Sequence, residues 1–274
     1  MVRVMPWIEV GGTDIYYVEE GAGQPLVFLH GMSSCGEAWF QQFAAFSDRY
    51  RVIAYDSVNH GHSSNSPRDE PEPDRADELE GFLAALGIER PILAGNSMGA
   101  GTLLRWAVRH PDDALALIPS GAGVRTARET DQMASRLRNP LDSETLFLPI
   151  GDSLTEGFAE REPRMYERYL RIRSTATRIE ALRHPRQGTA HDPGRGELAD
   201  VVGKISSPML VVVGGVDRAV PAARRLHELV PHSSFVEIPD APHNVYYEAA
   251  EPYNALVTEF LRQGSLLSVT KPSR

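Results

Sequence analysis

The chain has 274 residues, 42% of them hydrophobic, and carries 28 lysines and arginines against 37 aspartates and glutamates, a formal charge of −9. That content suffices for a sizeable buried core, and the acidic balance excludes a surface built for nucleic acid or anionic membrane, which needs excess cations. Cys35 is the single cysteine, which excludes an intrachain disulfide and a cysteine-based zinc site.

The first stretch, MVRVMPWIEV, lacks an apolar run of signal-peptide length, and no segment approaches the roughly 20 apolar residues of a membrane span. A cytoplasmic chain with no membrane or nucleic-acid partner is expected. Ile8 to Glu19 alternate apolar and polar residues on both sides of Gly11-Gly12, which predicts a β-hairpin. Short apolar runs without alternation follow at Leu26–Leu29, Val52–Tyr55 and Ile92–Ala94, each succeeded by a loop and a helical pattern. Strands covered by helices on both faces read this way, so the fold class is α/β with a mainly parallel sheet.

Two further runs, Ala114–Ile118 and Met209–Gly214, are separated by about ninety residues without a comparable strand, too long for an idle loop. The stretch 125–202, with helical spacing around Met165, Tyr169 and Ile172, is expected to form a helical cap inserted between core segments 1–124 and 203–274. Phe235–Ile238 reads as the last strand and Pro252 to Arg262 as the last helix. The tail from Gly264 is expected to fray.

The chemistry concentrates at Gly95-Asn96-Ser97-Met98-Gly99, directly after one strand and before an amphipathic helical pattern. A turn that presses strand against helix needs residues without bulk two places either side of the nucleophile, and it leaves Ser97 at a helix N-terminus. The backbone N–H of Met98 is then an unpaired first-turn donor aimed at a developing oxyanion. A second donor is expected from the loop Leu29-His30-Gly31-Met32, with the N–H of Met32 as the candidate and His30 as a brace.

A serine needs a base, and the base an orienting acid. Asp217 follows the run Val211–Val216, and His243 follows Phe235–Ile238, so both fall at the sheet edge that carries the serine. Asp56 precedes the serine on another branch, and Asp240 is too local to align the ring. His60 and His62 have no acid cluster to complete a metal site, and none is expected. The arginines of the cap, Arg161, Arg164, Arg168, Arg171, Arg173, Arg178, Arg183 and Arg186, read as a solvated face paired with Glu162, Glu167 and Glu180, or as holding one that binds a substrate carboxylate.

Together LHGM, YDSVNHGHSS, GNSMGA, VVVGGVDRAVP and APHNVYYEAAEPYNALVTEFL resemble the α/β-hydrolase superfamily over essentially the whole chain. The resemblance implies the α/β-hydrolase fold and a triad in the order Ser97, Asp217, His243. The elbow also looks like that of meta-cleavage-product hydrolases, which split carbon–carbon bonds in ring-opened dienoates. Those enzymes resemble one another in a glycine-rich oxyanion loop and a tryptophan after the histidine, where this chain has HGMSSCG and Asn244. Asn59 stands where many relatives carry glycine.

The expected activity is therefore hydrolysis of a small apolar or aromatic carboxylic ester or lactone, without a cofactor; a homodimer is compatible with it. The carbon–carbon hydrolase is the alternative, and a cofactor-free perhydrolase would share the triad. A ligand receptor on the same scaffold is the non-enzymatic reading.

Overall fold

The computed structural model describes residues 6–66, 74–126, 128–129, 152–176 and 194–269. Its sheet has eight strands: β1 (Trp7–Val10), β2 (Thr13–Glu20), β3 (Pro25–Leu29), β4 (Arg51–Tyr55), β5 (Ile92–Asn96), β6 (Ala116–Ser120), β7 (Leu210–Gly214) and β8 (Ser234–Ile238). Their order is β1-β2-β4-β3-β5-β6-β7-β8. Gly11 and Gly12 take φ of +57° and +80°, the left-handed pair that a tight hairpin demands, and β1 and β2 pair antiparallel around them. From β4 onward every neighbouring pair is parallel, so the C-terminal ends of β3, β5, β6, β7 and β8 share one edge.

The apolar runs serve two faces. Val27, Leu93 and Val211 pack with Leu79 of α2 (Arg75–Ala85), Leu103 of α3 (Met98–Arg109) and Leu226 of α7 (Val220–Leu229). Their sequence neighbours Phe28, Ala94 and Val212 turn the other way, onto Phe43 of α1 (Phe40–Phe46) and Tyr253 of α9 (Ala250–Val269). A strand buried on both faces has no polar side to alternate with.

Two of the boundaries that differ from the sequence reading have a clear cause. Strand β6 continues to Ser120, through Pro119, because it pairs with β5 as far as Asn96. Leu117 and Gly121 donate to Pro208 and Val212 on the β7 side, so Pro119 falls where its missing N–H leaves that ladder one bond short. Helix α9 runs on to Val269, into the tail expected to fray, since no proline interrupts it before Pro272.

Between β6 and β7 the described chain forms α4 (Phe158–Arg161), α5 (Pro163–Ala176) and α6 (Gly194–Val201). Tyr169, Ile172 and Ala176 lie on one stripe of α5 and are buried with Trp39, Tyr246 and Tyr247. Leu198 of α6, within the stretch expected as cap, packs on the sheet with Val202 and Val211. The remainder of that stretch, with Arg178, Arg183, Arg186, His184 and His191, lies outside the described residues. No helix among the described residues is long and apolar enough to cross a membrane.

Candidate active site

Ser97 sits between β5 and α3 with φ +53° and ψ −107°, a left-handed backbone that a side-chain-bearing residue adopts only under constraint. The constraint is close packing. A Cβ at Gly95 would stand 2.6 Å from the Gly99 carbonyl carbon, and one at Gly99 would stand 2.6 Å from that of Leu29, so only glycine lets helix and strands meet. The Ser97 N–H donates to Ser120 O at 2.9 Å, tying the elbow to β6. Met98 is the first residue of α3, where N–H groups have no intrahelical acceptor.

The loop after β3 runs beside the elbow: a Cβ on Gly31 would lie 3.5 Å from Ser97 Cβ. Met32 is the next residue. The left-handed residue of this loop is Ser33, at φ +56°. His30 is buried; its Nδ1 donates to Gly31 O at 2.8 Å and its Nε2 accepts the Ser57 N–H at 3.0 Å. Both ring nitrogens are committed to backbone, as a brace requires, and burial pushes the ring's pKa down.

Asp217 follows β7 and is buried, with Oδ1 accepting the Ala219 N–H at 2.8 Å. His243 Nδ1 lies 3.0 Å from each Asp217 carboxylate oxygen. Burial opposes protonation of the ring, but the hydrogen bond and charge of Asp217 outweigh it, and Asp152 adds to them, so the His243 pKa stands above its ordinary value. The approach depends on Gly214, where a Cβ would come within 2.6 Å of the Ala241 carbonyl carbon in the loop leading to His243. Across the edge, Gly121 lies between the elbow and the ring: a Cβ there would be 2.8 Å from Asn96 Oδ1 and 3.2 Å from His243 Cε1. The five residues read from sequence thus occupy one edge of the sheet, and Asp240 is exposed.

Asp56 accepts the Gly36 N–H at 2.7 Å and the His62 N–H at 2.8 Å, which accounts for its burial by loop bracing. Asn59 has φ +67°; its Oδ1 accepts the Ser66 N–H at 2.9 Å and its Nδ2 donates to Ser66 Oγ at 3.0 Å. An asparagine tolerates the left-handed backbone that glycine would otherwise supply. Among the described residues no cluster of histidine, cysteine, aspartate or glutamate could hold a metal ion.

The insertion arginines pair differently from the expectation. Arg168 and Arg171 each reach Glu37 at 3.6 Å, and Arg161 reaches Glu248 at 3.2 Å, all acids of the surrounding core. Arg168 also covers the Phe40 ring, 3.4 Å from its centroid. The buried stripe of α5 packs on Trp39, Tyr246 and Tyr247 of the core, and Arg168 and Arg171 meet a core acid there. Arg173 is 3% exposed, the one insertion arginine buried among those described.

Two contributors escaped the sequence reading. Asp152 O accepts the His243 N–H at 2.8 Å, and its carboxylate accepts the Arg218 N–H at 2.7 Å. Asn244 bonds to Asn96 and Tyr169. Neither has a local pattern, although Asn244 stands out in sequence as a departure from the tryptophan that follows the histidine in meta-cleavage-product hydrolases.

Three similarities bear on this geometry. A 2-hydroxy-6-oxononadienedioate/2-hydroxy-6-oxononatrienedioate hydrolase of Pseudomonas putida is 29% identical over 276 residues, 90% of this chain and 91% of its own. A non-heme chloroperoxidase of Kitasatospora aureofaciens is 39% identical over 100 residues, 36% of each chain. The enol-lactonase from Burkholderia xenovorans superposes with a TM-score of 0.75 at 23% identity, covering 94% of this chain and 100% of its own, which is a likeness of fold. The sequence profile described as alpha/beta hydrolase fold matches residues 24–250. With that match, the strand order and the shared edge, the chain belongs to the alpha/beta hydrolase family.

Proposed function

We propose that the chain is a serine hydrolase cleaving a carboxylic ester or lactone through an acyl-enzyme on Ser97. The observation that carries this reading is the buried Asp217 carboxylate 3.0 Å from His243 Nδ1, on the edge where Ser97 is held in a strained elbow. Asp217 keeps the proton on Nδ1, leaving Nε2 free to accept one. Ser97 Oγ attacks the acyl carbon as His243 Nε2 takes its proton, and the carbonyl oxygen becomes an oxyanion held by the N–H groups of Met32 and Met98. The protonated imidazole, stabilised by Asp217, returns the proton to the leaving oxygen. Water then repeats the attack on the acyl-enzyme with His243 again as base. No step needs a cofactor. The 125–202 insertion, α4 and α5 above all, is the cap over the substrate.

A second reading, carbon–carbon hydrolysis of a dienoate, takes its support from one observation: Arg173, buried on the same stripe of α5 as Tyr169, is a cation of the kind a substrate carboxylate would pair with. The dienedioate hydrolase of Pseudomonas putida lends it weight.

An organophosphonate probe followed by peptide mass spectrometry tests the first reading. The adduct should sit on Ser97 and vanish in Ser97→Ala. Labelling of another serine with Ser97 untouched would overturn the assignment, and no turnover across esters, lactones and dienoates would return the chain to a receptor role.

A further inference from the structure

Asn244 follows the base directly, yet its side chain reaches away from the triad in two directions. Asn96 Nδ2 donates to Asn244 Oδ1 at 3.1 Å, and Asn244 Nδ2 donates to the Tyr169 hydroxyl at 3.0 Å. Asn96 is the residue before Ser97 and is fully buried; Tyr169 lies on the buried stripe of α5. One amide therefore joins the end of the nucleophile strand to the inserted helix.

The backbone around it is held the same way. His243 N–H donates to Asp152 O at 2.8 Å and Asn244 N–H donates to Ser153 O at 3.1 Å, so the segment entering the insertion runs along the base loop. A few residues on, Thr155 and Arg161 bind Glu248, which ends α8 (Val245–Glu248). These contacts hold the insertion to the base loop. Asn244 carries the connection onward to the elbow.

Among the described residues the Asn96 side chain has no second hydrogen-bond partner. Its Oδ1 is buried and finds no donor among the described residues, so the bond to Asn244 is its one anchor directly behind Ser97. Stripped of Asn244, the buried amide would leave its Nδ2 donor unpaired as well, and that desolvation penalty favours the arrangement in which α5, Asn244 and Asn96 are all in place.

We propose that Asn244 is a positioning residue that clasps the α5 helix to the nucleophile elbow, so that the inner face of the insertion and Ser97 hold one register over the substrate. This rests on Ser97 being the nucleophile. Helix α5 acts on substrate binding through Tyr169, and the elbow acts on nucleophile competence through Asn96; Asn244 joins the two.

The test uses the full chain with Tyr169→Phe, Asn244→Leu and the double variant, each assayed for kcat, KM, Ser97 phosphonylation rate and melting temperature. Tyr169→Phe keeps the ring and its edge-on packing on Tyr247, 5.3 Å away, and should raise KM by about threefold or more with little change in kcat or labelling. Asn244→Leu should raise KM similarly and also slow labelling. In the double variant KM should be no worse than in Asn244→Leu, because the hydroxyl has already lost its partner. Multiplying KM effects would overturn the clasp, as would unchanged labelling in Asn244→Leu. Should Asn244→Leu not fold, Tyr169→Phe alone decides, and an unchanged KM overturns the proposal. If the parent is not labelled at Ser97 at all, the hydrolase reading falls and the clasp with it; labelling with multiplying effects sinks the clasp alone.

Discussion

The Nδ1 atom of His243 lies 3.0 Å from both carboxylate oxygens of Asp217, which approach it from beyond the end of a neighbouring strand. A carboxylate seated symmetrically on one ring nitrogen fixes both the tautomer and the plane of the imidazole. Asp217→Asn should therefore leave the fold intact, by circular dichroism, while lowering kcat by up to about 10⁴-fold, the scale for neutralising a triad acid. The exposed Asp240→Asn should stay near the parent rate. Equal losses in the two variants would move the orienting role elsewhere.

The raised pKa of His243 sets a pH dependence. With His243 as the proposed base, catalysis needs the neutral ring, so the acid limb of kcat/KM should fall above the ordinary histidine value of 6.5. In Asp217→Asn the limb should move down, because burial, which disfavours the cation, is then opposed only by the more distant charge of Asp152. Stability has the opposite sense. A folded-state pKa above the unfolded one stabilises the protein fully below pH 6.5, and that contribution fades as pH rises through the raised value. A pH–rate profile and urea unfolding across the same range check both signs.

Asn59 offers a test of backbone strain against hydrogen bonding. Asn59→Ala must hold the left-handed backbone with a Cβ, at about 1–2 kcal/mol, and also loses the Ser66 bonds, about 1 kcal/mol more. Asn59→Gly loses only the bonds. Urea denaturation should rank the parent most stable, then glycine, then alanine; glycine at or below alanine would refute the account.

Ester and carbon–carbon cleavage separate on substrates. A dienoate hydrolase must hold a carboxylate and protonate carbon before acyl transfer, and this chain has Asn244 where such enzymes resemble one another in a tryptophan. We expect kcat/KM for an aryl or medium-chain ester, or a lactone, to exceed that for a 2-hydroxy-6-oxo-dienoate by at least about tenfold, near 1.4 kcal/mol in barrier. Stopped-flow loss of dienoate absorbance beside an ester assay decides it. Faster dienoate turnover would make Arg173 the carboxylate anchor.

The features legible without coordinates are those a local pattern encodes. Gly11-Gly12 between alternating runs marks a hairpin, and Gly95 and Gly99 mark a turn too tight for side chains. Runs of apolar residues mark strands covered on both faces, and the order of Ser97, Asp217 and His243 along the chain matches their arrival at one edge. Even where a boundary slipped, as at Pro119, the cause lies in a neighbouring strand: the missing N–H is tolerated because of where the β7 ladder falls.

Sequence by itself therefore determined the strands, the elbow and which serine, aspartate and histidine stand at one edge of the sheet, because periodicity, turn chemistry and chain order are properties of neighbours in the chain. Only the tertiary structure decided that Arg168 and Arg171 reach Glu37, that Asp152 supports the base loop, and that Asn96, Asn244 and Tyr169 form one connected chain. Those partners lie far apart in sequence and leave no local trace. A polar side chain is compatible with water or with any complementary group, and which one it meets is settled when the distant segments pack and α5 docks on the core.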